Sequence, residues 1–331
     1  MTSPIQMAEL WRGGILESYH MGHAVVCDES GAIVNAWGDP EQIIFPRSSC
    51  KMIQALPLME SGAAEAANLT QEQLALSCAS HQGASIHTTR VKKWLSGLGL
   101  SDDDLRCGPQ PSQDDAERTR LILEHESPCQ LHNNCSGKHA GFLTLNKHIG
   151  GDAEYIDPNH PVQTSIKTAF EEVTGVTSPG YGIDGCSAPN YATSVHGLAR
   201  AMAFFATARE GQGTRETAAA KLVTAMRTYP ELVAGETRAC TELMRAMDHK
   251  VAVKTGADGV FVAILPEQKL GIALKITDGA TRASECAIAA ILVKLGVLDA
   301  NHPATLKRMN APQLNRRGIE AAWIRPGAAF A

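Results

Sequence analysis

An α+β fold with an antiparallel sheet is predicted for this chain of 331 residues by three features. Paired β-branched runs around tight turns lie near both ends, helical periodicity fills the middle, and no low-complexity linker or internal repeat separates them. Strands from the two ends are therefore expected to join in one sheet, with a helical region inserted between them. The sheet-bearing part is placed at about 8–60 and 248–331, the helical part at about 61–247, and the whole chain is read as a single unit over 1–331.

The first pair of strands is read from HAVVCDESGAIVNAWGD, His23 to Asp39, where Asp28-Glu29-Ser30-Gly31 supplies the turn. Asp39-Pro40 then breaks the strand. Ser48 to Ala63 has helical spacing at Met52, Leu56 and Met59, and Pro57 is expected to kink or end that helix. Further helical patterns run over Thr70 to Leu76, Ile86 to Leu98, Asp114 to Glu124, Lys138 to His148 and Val162 to Thr174. Two more cover Ala188 to Arg209 and Glu216 to Thr228. After Lys250 strands return. VAVKTGADGVFVAIL reads as a hairpin about Gly256-Ala257-Asp258-Gly259, Lys269 to Asp278 as a third strand, and Arg282 to Leu295 as a packing helix.

Composition narrows the functional classes. Thirty Lys and Arg against 35 Asp and Glu give a formal charge of −5, so the basic footprint of a nucleic-acid binder is missing. No apolar run approaches the roughly 18 residues of a membrane span, and MTSPIQMAELWRGG lacks the basic-then-apolar pattern of a secretory signal. The nine cysteines follow no secreted-scaffold spacing, which points to a reducing cytoplasm and to thiols that are free or bind metal.

Ser48-Ser49-Cys50-Lys51 offers a Ser-x-x-Lys at a predicted helix start, where Lys51 can reach the Ser48 hydroxyl. A serine becomes a nucleophile when a neighbouring base takes its proton, and a desolvated lysine can serve. Taken alone, the motif reads first as an N-cap serine followed by a solvated lysine. Lys254-Thr255-Gly256 on a late strand adds the second element of the arrangement found in serine β-lactamases and penicillin-binding proteins, while Ser-Asp-Asn is missing. Cys135 and Cys186 lie in polar, Gly-rich turns, where thiolates with Lys138 or His139 would suit zinc at about 2.3 Å, although two free thiols satisfy the same spacing. Ser80 and His81 end an apolar helix pattern and read either as a cap or as cleft residues.

Taken together, Arg12-Gly13-Gly14, Glu17-Ser18-Tyr19-His20, Arg47-Ser48-Ser49-Cys50-Lys51, Ser80-His81, HNNCSGKHAG, GIDGCSAPN and KTGADG resemble the Rhizobium etli-type, or class 3, L-asparaginases of the asparaginase II family. The resemblance runs from about Trp11 to the C-terminal helix. It implies a fold similar to serine β-lactamases and glutaminases, a homodimer, and hydrolysis of L-asparagine to L-aspartate and ammonia. It further implies two Ser-Lys pairs, Ser48 with Lys51 and Ser80 with Lys254, and a zinc held by Cys135, Lys138 and Cys186. Asp184 corresponds to an acidic residue near that lysine, and Arg47 and His139 stand as candidate contacts to the substrate. Two other readings remain at this point: a glutaminase or related serine amidase, and a non-catalytic protein that binds zinc or an amino acid.

Overall fold

The computed structural model describes residues 3–330. The strands are β1 (Ile5–Arg12), β2 (Ile15–Cys27), β3 (Ile33–Trp37), β4 (Ile43–Ile44), β5 (Tyr181–Ile183) and β6 (Pro189–Tyr191). They continue with β7 (Thr193–Ser194), β8 (Ala252–Thr255), β9 (Val260–Leu265), β10 (Leu270–Ile276), β11 (Ala311–Leu314) and β12 (Glu320–Pro326). Eight of them form one sheet in the order β11-β12-β1-β2-β10-β9-β8, with β3 also on β2. Every pairing is antiparallel.

The sheet joins the chain ends because β2 is long enough to serve three partners. Its first half pairs β1, while its buried second half, Ala24 to Cys27, lies between β10 and β3. The first three strands and the last five thus meet in one sheet through this apolar ribbon. The predicted α+β architecture, with its helical insertion, is the one observed.

The helices are α1 (Lys51–Gln54), α2 (Leu56–Glu60), α3 (Ala63–Ala66), α4 (Gln71–Ser77), α5 (Ser85–Gly97), α6 (Asp115–Leu123) and α7 (Ser136–Ile149). They go on as α8 (Pro161–Thr174), α9 (Val195–Thr207), α10 (Thr214–Thr228), α11 (Pro230–Val233), α12 (Ala239–Ala246), α13 (Thr281–Lys294) and α14 (Pro303–Leu306). Helix α9 packs on β10, β2 and β9, and α13 packs on β1, β9, β10 and β12. Gly271 permits the closest approach. A Cβ there would lie 2.0 Å from the Ala203 nitrogen and 2.4 Å from the Ala199 carbonyl of α9. The buried apolar side chains form one cluster spanning sheet and helices.

Three expectations change. The helix expected over 48–63 is broken into a 3-10 turn at Arg47–Cys50 and the short α1, α2 and α3. Pro57 sits in the first turn of α2, where its missing N–H costs nothing, and Gly62 takes φ 80° before α3. The helix expected over Ala188 to Arg209 begins only at Val195, because Pro189–Tyr191 pairs with β5 and Thr193–Ser194 with β4. Strands β1, β11 and β12 add to the sheet beyond the predicted ones. Among the described residues, no helix is long and apolar enough to cross a membrane.

Candidate active site

The end of edge strand β8 comes against the 3-10 turn that carries Ser48. Gly256 makes this approach possible, since a Cβ there would meet the Pro46 carbonyl at 2.5 Å. Arg47, immediately before Ser48, has φ 56°, a left-handed conformation that side chains with a Cβ seldom adopt. Its peptide is clamped by buried Asn190 of β6: the Arg47 N–H donates to Asn190 Oδ1 at 3.0 Å, and Asn190 Nδ2 donates to the Arg47 carbonyl at 3.4 Å. The guanidinium donates to Asp184, with Nε 2.9 Å from Oδ1, and also to Asp258. Ser48 itself is half-buried, and its hydroxyl makes no hydrogen bond among the described residues.

Lys51 is buried, and its hydrogen bonds go to groups other than Ser48. Its Nζ donates to the Ala79 carbonyl at 2.5 Å, to Ser80 Oγ at 2.9 Å and to Cys135 Sγ at 3.1 Å. The structure thus joins Lys51 to Ser80, whereas the expected partition set Lys51 with Ser48 and Ser80 with Lys254. Ser48 lies in the 3-10 turn from Arg47 to Cys50 and Lys51 opens the α-helix that follows, and no hydrogen bond joins the two. Lys254, fully buried on β8, donates to the Thr255 carbonyl at 2.8 Å. Burial above all pushes its pKa down to about 7; the Lys51 and Arg238 charges add to this, against the opposite pull of Cys240. Ser80 is held in place by its own N–H, which donates to the Val233 carbonyl at 2.8 Å.

The second group is built by α7 and the β5–β6 hairpin. Cys135 is the N-cap of α7 and Lys138 lies one turn on, so both occupy one face at its start. Cys186 lies in the turn of the hairpin, where Ser187 takes φ 69°. Lys138 Nζ donates to Cys186 Sγ at 3.0 Å. The two thiols titrate together: the hydrogen bond from Cys135 and the Lys138 ammonium hold Cys186 well below the usual thiol range, while Cys135 is pushed up. Burial disfavours the Lys138 ammonium, but the Cys186 and Cys135 charges outweigh it and raise its pKa. His139 Nδ1 bonds the Tyr155 hydroxyl at 2.8 Å, and that hydroxyl accepts from the Arg106 N–H at 2.8 Å. Nδ1 is thus engaged by Tyr155, and the buried imidazole also interacts with Cys186. Desolvation lowers the pKa of this imidazole.

All ten residues singled out in the sequence are accounted for. Lys51, Ser80 and Cys135 are in direct contact, as are Lys138 with Cys186 and Arg47 with Asp184. Lys254 is close enough to Lys51 to sense its charge. Ser48 enters through the turn and His139 through α7. Among the described residues, no group of three or more His, Cys, Asp and Glu side chains is placed to hold a metal; Cys135 and Cys186 come with a lysine instead. The sequence reading missed Asn190 and Asp258, which stand inside GIDGCSAPN and KTGADG, and Tyr155, which carries no motif.

Comparisons with known proteins address the same architecture. No curated protein matches the sequence. Similar solved structures include a putative β-lactamase from Bacteroides dorei DSM 17855, 10% identical over 83% of this chain and 92% of that one, with a TM-score of 0.46. Mglu in its tris and glutamate form is 11% identical over 91% of this chain and 64% of that one, with a TM-score of 0.48. A β-lactamase from Mycobacterium bovis is 11% identical over 84% of this chain and 95% of that one, with a TM-score of 0.36. The sequence profile described as L-asparaginase II matches residues 8–326. That span runs from β1 to the end of β12 and takes in both lysine clusters, so the chain belongs to the L-asparaginase II family.

Proposed function

We propose that this amide hydrolase converts L-asparagine to L-aspartate and ammonia, with Ser48 as the nucleophile. The observation that carries the reading is the buried Lys51–Ser80 contact beside Ser48, with Lys254 held at a pKa of about 7. In this reading Ser48 Oγ attacks the side-chain amide carbon. Its proton moves along Lys51 and Ser80 toward Lys254, which is about half neutral at pH 7. Backbone N–H groups at the turn hold the oxyanion, ammonia leaves after protonation, and water hydrolyses the β-aspartyl ester by the reverse transfers.

Cys135, Lys138 and Cys186 are the proposed zinc ligands. The choice is supported by two soft donors, one of them favoured as a thiolate, beside the buried imidazole of His139. Bound there, zinc would supply a Lewis-acid contact that positions the substrate, and Lys138 would have to give up its proton to ligate it. Arg47, His139 and Asp184 are proposed to line the substrate's approach. A homodimer in a reducing cytoplasm completes the proposal; a candidate face is the exposed apolar strip of Ile43, Phe45, Tyr181 and Ile183.

Ammonia release from L-asparagine and L-glutamine and ring opening of a β-lactam, run beside metal analysis, test the whole reading. Preferential turnover of L-asparagine and stoichiometric zinc that is lost in Cys186→Ser are expected. Faster turnover of L-glutamine would replace the substrate, and a metal-free active protein would remove the zinc.

A further inference from the structure

The loop from Val233 to Cys240 touches both halves of the lysine site. At one end the Val233 carbonyl accepts the Ser80 N–H at 2.8 Å, and at the other Cys240 Sγ accepts the Thr255 N–H at 3.2 Å. Between them Thr237 takes φ 64°, a left-handed conformation that is a genuine outlier for a β-branched residue. Such strain persists only where surrounding structure enforces it, and it clusters at ligand sites.

The residue that this turn delivers is Arg238, half-buried at the start of α12. Its guanidinium donates from Nη1 to the neutral Gln113 Oε1 at 2.8 Å, and Gln113 is itself pinned by its N–H on the Gln82 carbonyl at 2.8 Å. Among the described residues Arg238 forms no ion pair with a carboxylate. Glu285 senses its charge, but the contact Glu285 makes is with Arg308, at 3.5 Å. Arg47, the other arginine of the site, is already paired with Asp184 and Asp258. Arg238 is thus a cation beside the catalytic lysines whose anion has not been supplied by the protein.

We propose that Arg238 receives the α-carboxylate of the substrate, so that the site is selective for amides carrying a free carboxylate. This rests on the amide-hydrolase reading above. A carboxylate that leaves water needs a charged, hydrogen-bonding partner, and the planar guanidinium offers two parallel N–H donors that match its oxygens. The Gln113 contact fixes one nitrogen of the fork. Selection acts on the substrate end remote from the scissile amide, so it governs binding more than chemistry.

The test compares wild type, Arg238→Gln and Arg238→Lys on L-asparagine and on L-asparaginamide, whose α-carboxyl is a neutral amide. The KM for L-asparagine should rise at least about tenfold in Arg238→Gln, the scale of a lost charge-assisted bond, with kcat little changed. Arg238→Lys should recover part of that loss, and the wild-type preference for L-asparagine over L-asparaginamide should collapse in Arg238→Gln. Equal changes on the two substrates, or an unchanged KM for L-asparagine, would overturn the assignment while leaving the hydrolase intact. A wild type that releases no ammonia from L-asparagine would overturn the function itself and this proposal with it.

Discussion

Arg47 shows how a single residue prepares the site. Its φ of 56° is unfavourable, and the two hydrogen bonds it shares with Asn190 hold it there. Removing that clamp lets the peptide relax and moves Ser48. Asn190→Ala should therefore lower kcat by roughly ten- to a hundredfold, the penalty of misplacing a reacting group by about an ångström, with a smaller effect on KM. Steady-state kinetics check this; unchanged kcat would show that the turn holds itself. Lys254 gives the pH dependence. With its pKa pushed down to about 7 it gains its neutral form as pH rises, so kcat/KM should climb through pH 7 and level off above 8. For stability the same group acts in a related sense. The folded state resists a proton that the unfolded chain takes up, so the group's cost is full below pH 7 and recedes as pH rises toward the ordinary 10.5. A flat kcat/KM between pH 6 and 8 would remove Lys254 as the proton acceptor. At this scale the sequence drew attention to Cys135 and Cys186 by their polar, Gly-rich turns, a setting that two free thiols fit as well. It was least legible for Asn190, whose work is on a neighbouring backbone.

Secondary-structure elements position these residues by close packing. The α9–β10 contact depends on Gly271, where any side chain meets the α9 backbone rather than a movable group. Gly271→Val should destabilise the fold by about 3 kcal/mol, the upper end of overpacking costs, measurable as a lowered midpoint in chemical denaturation. A shift near zero would mean that α9 does not sit on the sheet at this distance. The strands flanking the Asp28 and Gly256 turns were readable because β-branched runs surround them. Strands β11 and β12 were not, since Pro312 and exposed polar residues interrupt their alternation. The start of α9 was misread for a related reason. Pro189 to Ser194 is too short for a strand signal, and the Ala- and Leu-rich helix that follows extends its period backwards over it.

The whole molecule gathers its site from distant parts of the chain: Ser48 and Lys51 follow the N-terminal strands, Ser80, Cys135 and Cys186 come from the helical insertion, and Lys254 stands on a C-terminal strand. Closure of one sheet by both chain ends is what brings the first and last of these together. That closure was foreseeable from strands at both termini, but the partnering of Lys51 with Ser80 was not, because it joins residues on separate elements and such a contact leaves no periodic trace. The central claim is that Ser48, served by this lysine cluster, is the nucleophile of an asparagine hydrolase. Ammonia release from L-asparagine by wild type and by folded Ser48→Ala tests it most directly. The account predicts equal yields of aspartate and ammonia from wild type and a fall of about a thousandfold or more in Ser48→Ala; turnover by Ser48→Ala within about tenfold of wild type, outside the range for a lost nucleophile, would contradict it.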